Sequence, residues 1–405
     1  MANKNLSKAK NAKKDEFYTQ YIDIQKEIES YLEYDPNTFK DKVVYCNADD
    51  PFESNFFRYF VLNFNRLNLK QLITTSYKPS PVANTQVGLF GDDVTLEPIK
   101  GRPKVTANKF IINEVGDVDG DGQFNLKDVA LQLKTNKNNE WTPLKGDGDF
   151  RSDECIELLK QSDVVVTNPP FSLFRDFVKQ IFDYKKQFLI IGNMNSVTYK
   201  EIFPLIKGNK MWYGQSISSG DREFQVPDDY PLNAASYRTE DGKNYIRVKG
   251  VRWFTNLDHG RRHQVLDLMT KEDNLKYNKK LQGHETAYVK YDNYDAIEIP
   301  YTNAIPSDYE RVMGVPITFL DKYNPDQFEI LGATQRGCHD EVPDTKKYND
   351  YWEVRQSGEK TGSSGGKTNE NANLLTNDGK KNYFENKQGR IVQSAYQRIF
   401  IKHKK

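Results

Sequence analysis

Four short runs in the first half of the chain, DKVVYC, LKQLITT, DVVVT and QFLII, are each built around consecutive apolar residues. Stretches with helical spacing of apolar residues, SNFFRYFVLNFNRL, SDECIELLKQ and SLFRDFVKQIFDY, lie among them. A strand that is apolar on both sides has no face to show to water, so it must sit inside a sheet covered above and below. The amphipathic helices supply that cover, and they also make the long crossovers that parallel pairing needs. The pattern predicts an α/β fold with a mostly parallel sheet. Ligands in such sheets bind at the carboxyl ends of the strands. Asp49, Asp50, Asp149, Asn168 and Asn193 all fall just past predicted strands, so one crevice can collect them.

This rhythm is interrupted once and then stops. Residues 78–145 are rich in glycine, proline and polar side chains and read as an insertion. After Asn195 the chain turns strand-rich and aromatic, in WYGQSIS, NYIRVKGVRWFTN, GVPITFL, QFEILGATQRG and RIFIKHKK, which sets a boundary near residue 258. Two domains follow, 1–258 and 259–405, each long enough to bury its own core. Residues 357–380, dominated by Gly, Ser, Asn and Lys, read as a flexible loop.

Lys and Arg number 58 against 57 Asp and Glu, a net charge of +1, so a nucleic-acid partner must be met by local patches and not by bulk charge. Five lysines and no acid in the first 14 residues read as a mobile arm. From Lys381 to Lys405 seven Lys/Arg stand against one acid, interleaved with Tyr383, Phe384, Tyr396 and Phe400. That stretch suits phosphate contacts, or more plainly a charged outer strand. Arg222, Arg252, Arg261, Arg262 and Arg336 are further candidates for bases or phosphates. Cys46, Cys155 and Cys338 are scattered and odd in number, which suits free thiols. With no apolar run near the ~18 residues of a membrane span and no apolar signal core, the expectation is a soluble, cytoplasmic monomer. His259, His263, His284, His339 and His403 form no metal set.

The tetrapeptide Asn168-Pro169-Pro170-Phe171 carries the chemistry. It follows an apolar strand directly, and two prolines stiffen the backbone while removing two amide donors, so the loop offers acceptors. The Asn168 side-chain oxygen and the Pro169 carbonyl can each take one N–H of an exocyclic amine such as adenine's. Its nitrogen then becomes tetrahedral, with its lone pair localised. Phe171 supplies a flat face for an extruded base, a contact worth about 1–3 kcal/mol. The plainer reading is a proline-stiffened turn.

Context extends the motif: Asp149-Phe150 stand about 20 residues upstream, and Phe17-Tyr18-Thr19 about 150. In this order the chain resembles the amino-methyltransferases of the gamma arrangement, and more narrowly the EcoRI-type adenine-specific DNA methyltransferases. DEFYTQY, KVVYCNADDP, LKGDGDFRSDECIELL, DVVVTNPPFSLFRDF, SGDREFQVP, GVRWFTN and GVPITFLDKYNPDQFEILG all carry that likeness. The resemblance implies a Rossmann-like sheet binding S-adenosylmethionine in 1–258, a mixed, strand-rich target-recognition domain in 259–405, and double-stranded DNA as partner. It assigns cofactor contacts to Phe17, Tyr18 and Thr19, to Asn47, Asp49, Asp50 and Pro51, and to Asp149 and Phe150. The cofactor loop NADDPFESN lacks the wider class's glycines, and the second strand ends in TTSY without a carboxylate for the ribose. An RNA or protein-glutamine methyltransferase is the nearest alternative, and a calcium-dependent DNA-binding protein on a degenerate scaffold the more distant one.

The last motif lies in the insertion. Asp117, Asp119 and Asp121 at loop positions 1, 3 and 5, glycine at 6, the Gln123 carbonyl at 7 and Asp128 at 12 match the spacing of an EF-hand-like calcium loop over 117–128. The expected role is structural. An Asp/Gly-rich surface turn is the alternative.

Overall fold

The computed structural model describes residues 18–47, 49, 54–77, 107–122, 124–135, 138–218, 221–226, 237–284, 286–334, 342, 344–379, 381–395 and 397–404. The chain divides into two compact units, Met1–Met194 with Trp212–Gly260, and Asn195–Met211 with Arg261–Lys405. It is a mixed α/β protein with several sheets.

In the first unit the elements run α1 (Tyr21–Tyr34), β1 (Val43–Cys46), α2 (Asn55–Leu62), β2 (Gln71–Thr75), β3 (Asn108–Ile112), α3 (Leu126–Thr135), β4 (Glu140–Pro143), α4 (Asp153–Gln161), β5 (Val164–Thr167), α5 (Phe174–Asp183) and β6 (Gln187–Asn193). Then follow β7 (Trp212–Tyr213), β8 (Asp221–Val226), β9 (Tyr237–Glu240), β10 (Lys243–Lys249) and β11 (Val251–Thr255). Eight strands form one sheet in the order β4-β3-β2-β1-β5-β6-β11-β7. The pairs β2–β1, β1–β5 and β5–β6 are parallel. β1 and β5 are buried at all four residues, as strands at the centre of a covered sheet must be.

The helices are fixed at their starts. Ser54 accepts the Phe57 N–H at 3.0 Å and Ser152 the Cys155 N–H at 3.3 Å, each satisfying a donor that the first helical turn leaves open. α5 turns Phe174, Phe177, Val178 and Ile181 inward. Each such side chain contributes roughly 1.5–3 kcal/mol by leaving water.

The stretch read as an insertion is not one throughout. β3 pairs antiparallel with β2, and β4 with β3, so residues near 110 and 140 extend the main sheet. Alternation in NKFII and EWTP is too brief to announce an edge strand among polar neighbours. Residues 78–106, like the lysine-rich arm, lie outside the described residues.

β8, β10 and β9 make a second, three-stranded sheet, and Tyr18 adds a bridge to its edge through Gln225. Phe224, Val226 and Val248 of this sheet join the core that holds Ile24, Ile28 and Trp253.

The second unit holds the short helices α6 (Phe203–Lys207) and α7 (Lys271–Tyr277) and two sheets. One has the order β12 (Ile297–Glu298), β13 (Met313–Pro316), β20 (Arg398–His403), β14 (Phe328–Ala333); the other β16 (Lys360–Ser364), β15 (Tyr351–Val354), β18 (Tyr383–Asn386), β19 (Ile391–Ser394), β17 (Asn373–Leu374).

Two expectations change here. The loop expected over 357–380 contributes β16 and β17, and its polar residues Thr368 and Asn373 are fully buried and hydrogen-bonded to each other. Composition marks such a segment as loop because side-chain amides and hydroxyls look solvated; here they bond to each other, while Ala372 and Leu374 of the same segment join an apolar cluster. The C-terminal strand is not an outer one, since β20 lies between β13 and β14. No helix among the described residues is long and apolar enough to cross a membrane.

Candidate active site

The eight-stranded sheet reverses direction of growth at β1, where β2 lies on one side and β5 on the other. Chain leaving the carboxyl ends of two such strands diverges and opens a crevice. Asn47 follows β1, Asn168 follows β5, and one hydrogen bond ties the two ends: Thr167 Oγ1 donates to the Asn47 carbonyl at 2.7 Å. The Asn47 side chain accepts from Thr75 Oγ1 at 3.2 Å, which holds it to the end of β2. Asp49 donates its N–H to the Thr75 carbonyl at 2.9 Å and accepts from the Ser54 hydroxyl through its carboxylate. Asp50 and Pro51 lie outside the described residues, as does Phe17.

Beyond β5 the Asn-Pro-Pro-Phe loop turns sharply. Leu173 N–H closes on the Pro170 carbonyl at 2.9 Å, and a one-turn 3-10 helix, Phe171–Leu173, leads into α5. The Pro169 carbonyl accepts no hydrogen bond from the described residues. Pro169 is buried, Asn168 and Phe171 are partly buried, and the Phe171 ring packs against the main core.

Tyr18 is held to Gln225 by two backbone hydrogen bonds, of 3.0 and 3.2 Å. Next to it, Thr19 offers its carbonyl to Asn55 Nδ2 at 2.8 Å. Its hydroxyl is buried and meets no partner among the described residues. An orphaned buried hydroxyl costs free energy unless a ligand satisfies it, so this atom fits a cofactor cradle.

Asp149 and Phe150 reach the sheet through Gly148. At φ +80° its backbone suits glycine, and a Cβ there would stand 1.9 Å from the Ser76 carbonyl, so only glycine lets this turn meet the end of β2. Asp149 is clamped by Arg151, whose Nε and Nη2 donate at 2.9 and 2.6 Å. Those hydrogen bonds hold the carboxyl below the usual carboxylate range, against the opposing effect of partial burial. Phe150 is buried, with its ring edge-on to Phe177 and the Arg151 guanidinium 5.1 Å from its centroid.

One contributor escaped sequence reasoning, and one candidate serves a different end. Glu27 is fully buried on α1 and accepts from Gln215 N, Ser216 N and Tyr31 Oη at 2.8, 2.6 and 2.9 Å, fastening the loop that leads into β8. Gly214 makes room for it, since a Cβ there would fall 2.1 Å from Glu27 Oε1. Arg252 is buried too, donating to the Val251 and Ser218 carbonyls at 2.8 and 2.9 Å, so it props the same loop instead of reaching toward nucleic acid. Glutamate within QKEIES reads as a solvated helix position, and nothing local marks it otherwise.

Arg262 is likewise buried and bonded to Asn209 Oδ1 at 2.6 Å; Arg336, His339 and Cys338 lie outside the described residues. Cys46 and Cys155 are buried free thiols.

In the acidic loop, carboxylate oxygens of Asp117, Asp119 and Asp128 gather within 4.8 Å of one another. Asp121 is not in that group, and Gln123 lies outside the described residues. The carboxylates are already used: Asp117 accepts from Gly120 N and Gly122 N, and Asp128 from Val118 N and Asn125 N. These bonds account for the loop, and the expected calcium finds no support.

The chain matches the family model described as adenine-specific methyltransferase EcoRI over residues 5–404. It is 44% identical over 330 residues to the type II methyltransferase M.EcoRI of Escherichia coli, covering 81% of this chain and 89% of that protein. Against the type II methyltransferase M.MpnI of Mycoplasma pneumoniae the identity is 37% over 329 residues, 80% and 84% of the two chains. Against M.MgeORF184P of Mycoplasma genitalium it is 36%, covering 80% and 85%. No solved structure matches.

Proposed function

The chain belongs to the family of EcoRI-type adenine-specific methyltransferases, and from that premise we propose how its residues divide the work of methylating an adenine amine in DNA. It is a type II, adenine-specific DNA methyltransferase of the S-adenosylmethionine-using kind. Methyl transfer to RNA or protein glutamine is not favoured, and neither is a non-enzymatic calcium-dependent binder.

Our reading is a Rossmann-like catalytic unit with its crevice at the β1/β5 junction, working as a monomer, with the second unit recognising the target sequence. S-adenosylmethionine supplies a methyl group on an already activated sulfonium. Thr19 would satisfy its buried hydroxyl on that ligand, with Phe17, Tyr18, Asn47, Asp49, Asp50 and Pro51 around it. Asp149 stays ionised and can accept from an exocyclic amine, while Phe150 packs beneath the turn that presents it.

Asn168 and Pro169 act on the target. The adenine, swung out of the duplex, donates one amine N–H to the Asn168 side-chain oxygen and one to the Pro169 carbonyl. Pro170 keeps the loop rigid, and Phe171 stacks on the base. No strong base is needed to make the nitrogen a nucleophile, because the two acceptors localise its lone pair and alignment supplies most of the acceleration; the sulfonium would leave as a neutral thioether, and the nitrogen's surplus proton would pass by way of the acceptors to solvent.

The observation that carries this reading is the Thr167–Asn47 hydrogen bond at 2.7 Å, which ties the start of the cofactor loop to the start of the Asn-Pro-Pro-Phe loop. The test is incubation with mixed-sequence duplex DNA and isotopically labelled S-adenosylmethionine, followed by nucleoside analysis. Label in N6-methyladenine, absent with Asn168→Ala although the variant still binds cofactor, is the expected result. Label in N6-methyladenine from both proteins would remove Asn168 from the chemistry.

A further inference from the structure

Many cations of the second unit are already engaged. Lys346 and Arg390 meet Asp292, Lys290 and Arg311 meet Asp295, and Lys402 meets Glu329. Arg398 is buried in a bidentate pair with Glu298, and half-buried Lys381 donates to the Ser394 carbonyl. The basic C-terminal stretch that sequence singled out is therefore largely spent on the fold.

Lys276, Lys279 and Lys280 differ: all three are exposed, and none has an acidic partner among the described residues. They follow one another from the end of α7 into the next turn, and that turn is set in advance. Asn278 is buried; its Nδ2 donates to Asn274 Oδ1 at 3.1 Å and to the Asn303 carbonyl at 3.2 Å, while its Oδ1 accepts the Lys280 N–H at 3.2 Å. The Lys276 ammonium stands 5.0 Å from the Tyr277 ring centroid, and that of Lys280 5.8 Å from Tyr301, so the rings steer both chains. Asn303 then continues into a groove of about 310 Å³ whose walls include Arg261, Gln264, Thr302 and Lys322. Lys322, too, lacks an acidic partner among the described residues.

Exposed cations in a row beside amide and hydroxyl groups match a chain of phosphates, which position a protein on a duplex without carrying sequence information. The charged face of the three-stranded sheet in the first unit is different, because Arg238 there is consumed by Glu223 and Glu240. We infer that Lys276, Lys279 and Lys280, with the adjoining groove, hold the sugar–phosphate backbone of the DNA duplex. The inference rests on the DNA-methyltransferase reading above.

The test is a salt titration of binding to a random-sequence duplex, with the full chain and with its triple variant Lys276→Gln, Lys279→Gln, Lys280→Gln. Three lost phosphate contacts should lower the slope of log affinity against log salt by about two to three, and weaken binding about 10- to 100-fold near 0.1 M salt. Triple Lys→Arg substitution should keep the parent slope. Cofactor affinity and kcat at saturating DNA should not move. An unchanged slope, or a fall in kcat at saturating DNA, would overturn the assignment. The parent's own methylation of the same duplex, followed in parallel, reports on the underlying reading: methylation with an unchanged slope removes only the surface, whereas no methylation at all removes both.

Discussion

On the proposed reading single residues carry the chemistry, and their legibility in the sequence was uneven. Asn168 stood out because the Pro-Pro loop follows an apolar strand in the company of the Asp149-Phe150 and Phe17-Tyr18-Thr19 motifs, and the residue follows β5 directly, as expected. On the proposed reading its amide is one of two acceptors for the reacting amine, so removing it should cut turnover by about 100-fold or more, with cofactor affinity nearly unchanged. Single-turnover methylation beside cofactor titration separates the two. Asp149 tests the other side of the crevice. Because Arg151 depresses its pKa, the carboxylate persists until the pH falls through a value below 3.8, so the cofactor contact proposed for it should stay level from about pH 8 down to about pH 5. Arg151→Ala should move the onset of loss upward toward the ordinary Asp range; identical profiles for parent and variant would show that the pair does not govern binding. Thr167 gave no signal of its own, because a threonine's significance lies in whether a partner is in reach, and only the fold brings it to the Asn47 carbonyl.

At the scale of elements, the apolar runs and amphipathic stretches led directly to β1, β2, β5, β6 and the helices beside them. Elements held by polar contacts were not legible. Glu27 is the clearest case, a glutamate that fastens residues 215 and 216 from inside the core. Burial raises its pKa, so the folded state favours the neutral acid more than the unfolded chain does. Its contribution to stability is then full below the unfolded value near 4.5 and declines as the pH rises through the raised folded value. Glu27→Gln should abolish that slope, so urea midpoints of parent and variant should diverge toward low pH, the parent gaining relative to the variant as the pH falls. Midpoints that keep a constant offset between pH 4 and 8, a range of about four units around the carboxylate region, would contradict it. Residues 360–374 make the same point, since β16, β17 and a buried Thr368–Asn373 pair arise from a sequence that composition alone assigns to solvent.

On the scale of the whole molecule, each unit has a core of its own, and the second is fixed by charge as well as by apolar packing. Arg398 and Glu298 pair at 2.6 and 3.0 Å inside the sheet of β12, β13, β20 and β14, with Tyr291 donating to the same carboxylate. Glu298→Ala would leave a buried guanidinium unpaired, at a cost of about 3–5 kcal/mol. We expect this variant to lose DNA binding through damage to the second unit while retaining cofactor binding in the first; calorimetric titration with cofactor alone checks it, and loss of both would mean that the units do not fold separately. The sequence by itself determined the α/β class, the central strands, the change of character after residue 195 and the family, because hydrophobic periodicity and contiguous motifs are local properties of the chain. Tertiary structure alone decided that the stretch after residue 107 joins the main sheet, that Arg252, Arg262 and Arg398 serve the fold, and that Lys276, Lys279 and Lys280 stay available. The physical reason is that a charged or polar side chain takes its role from the partner it meets, and that partner is set by contacts between residues far apart in the chain.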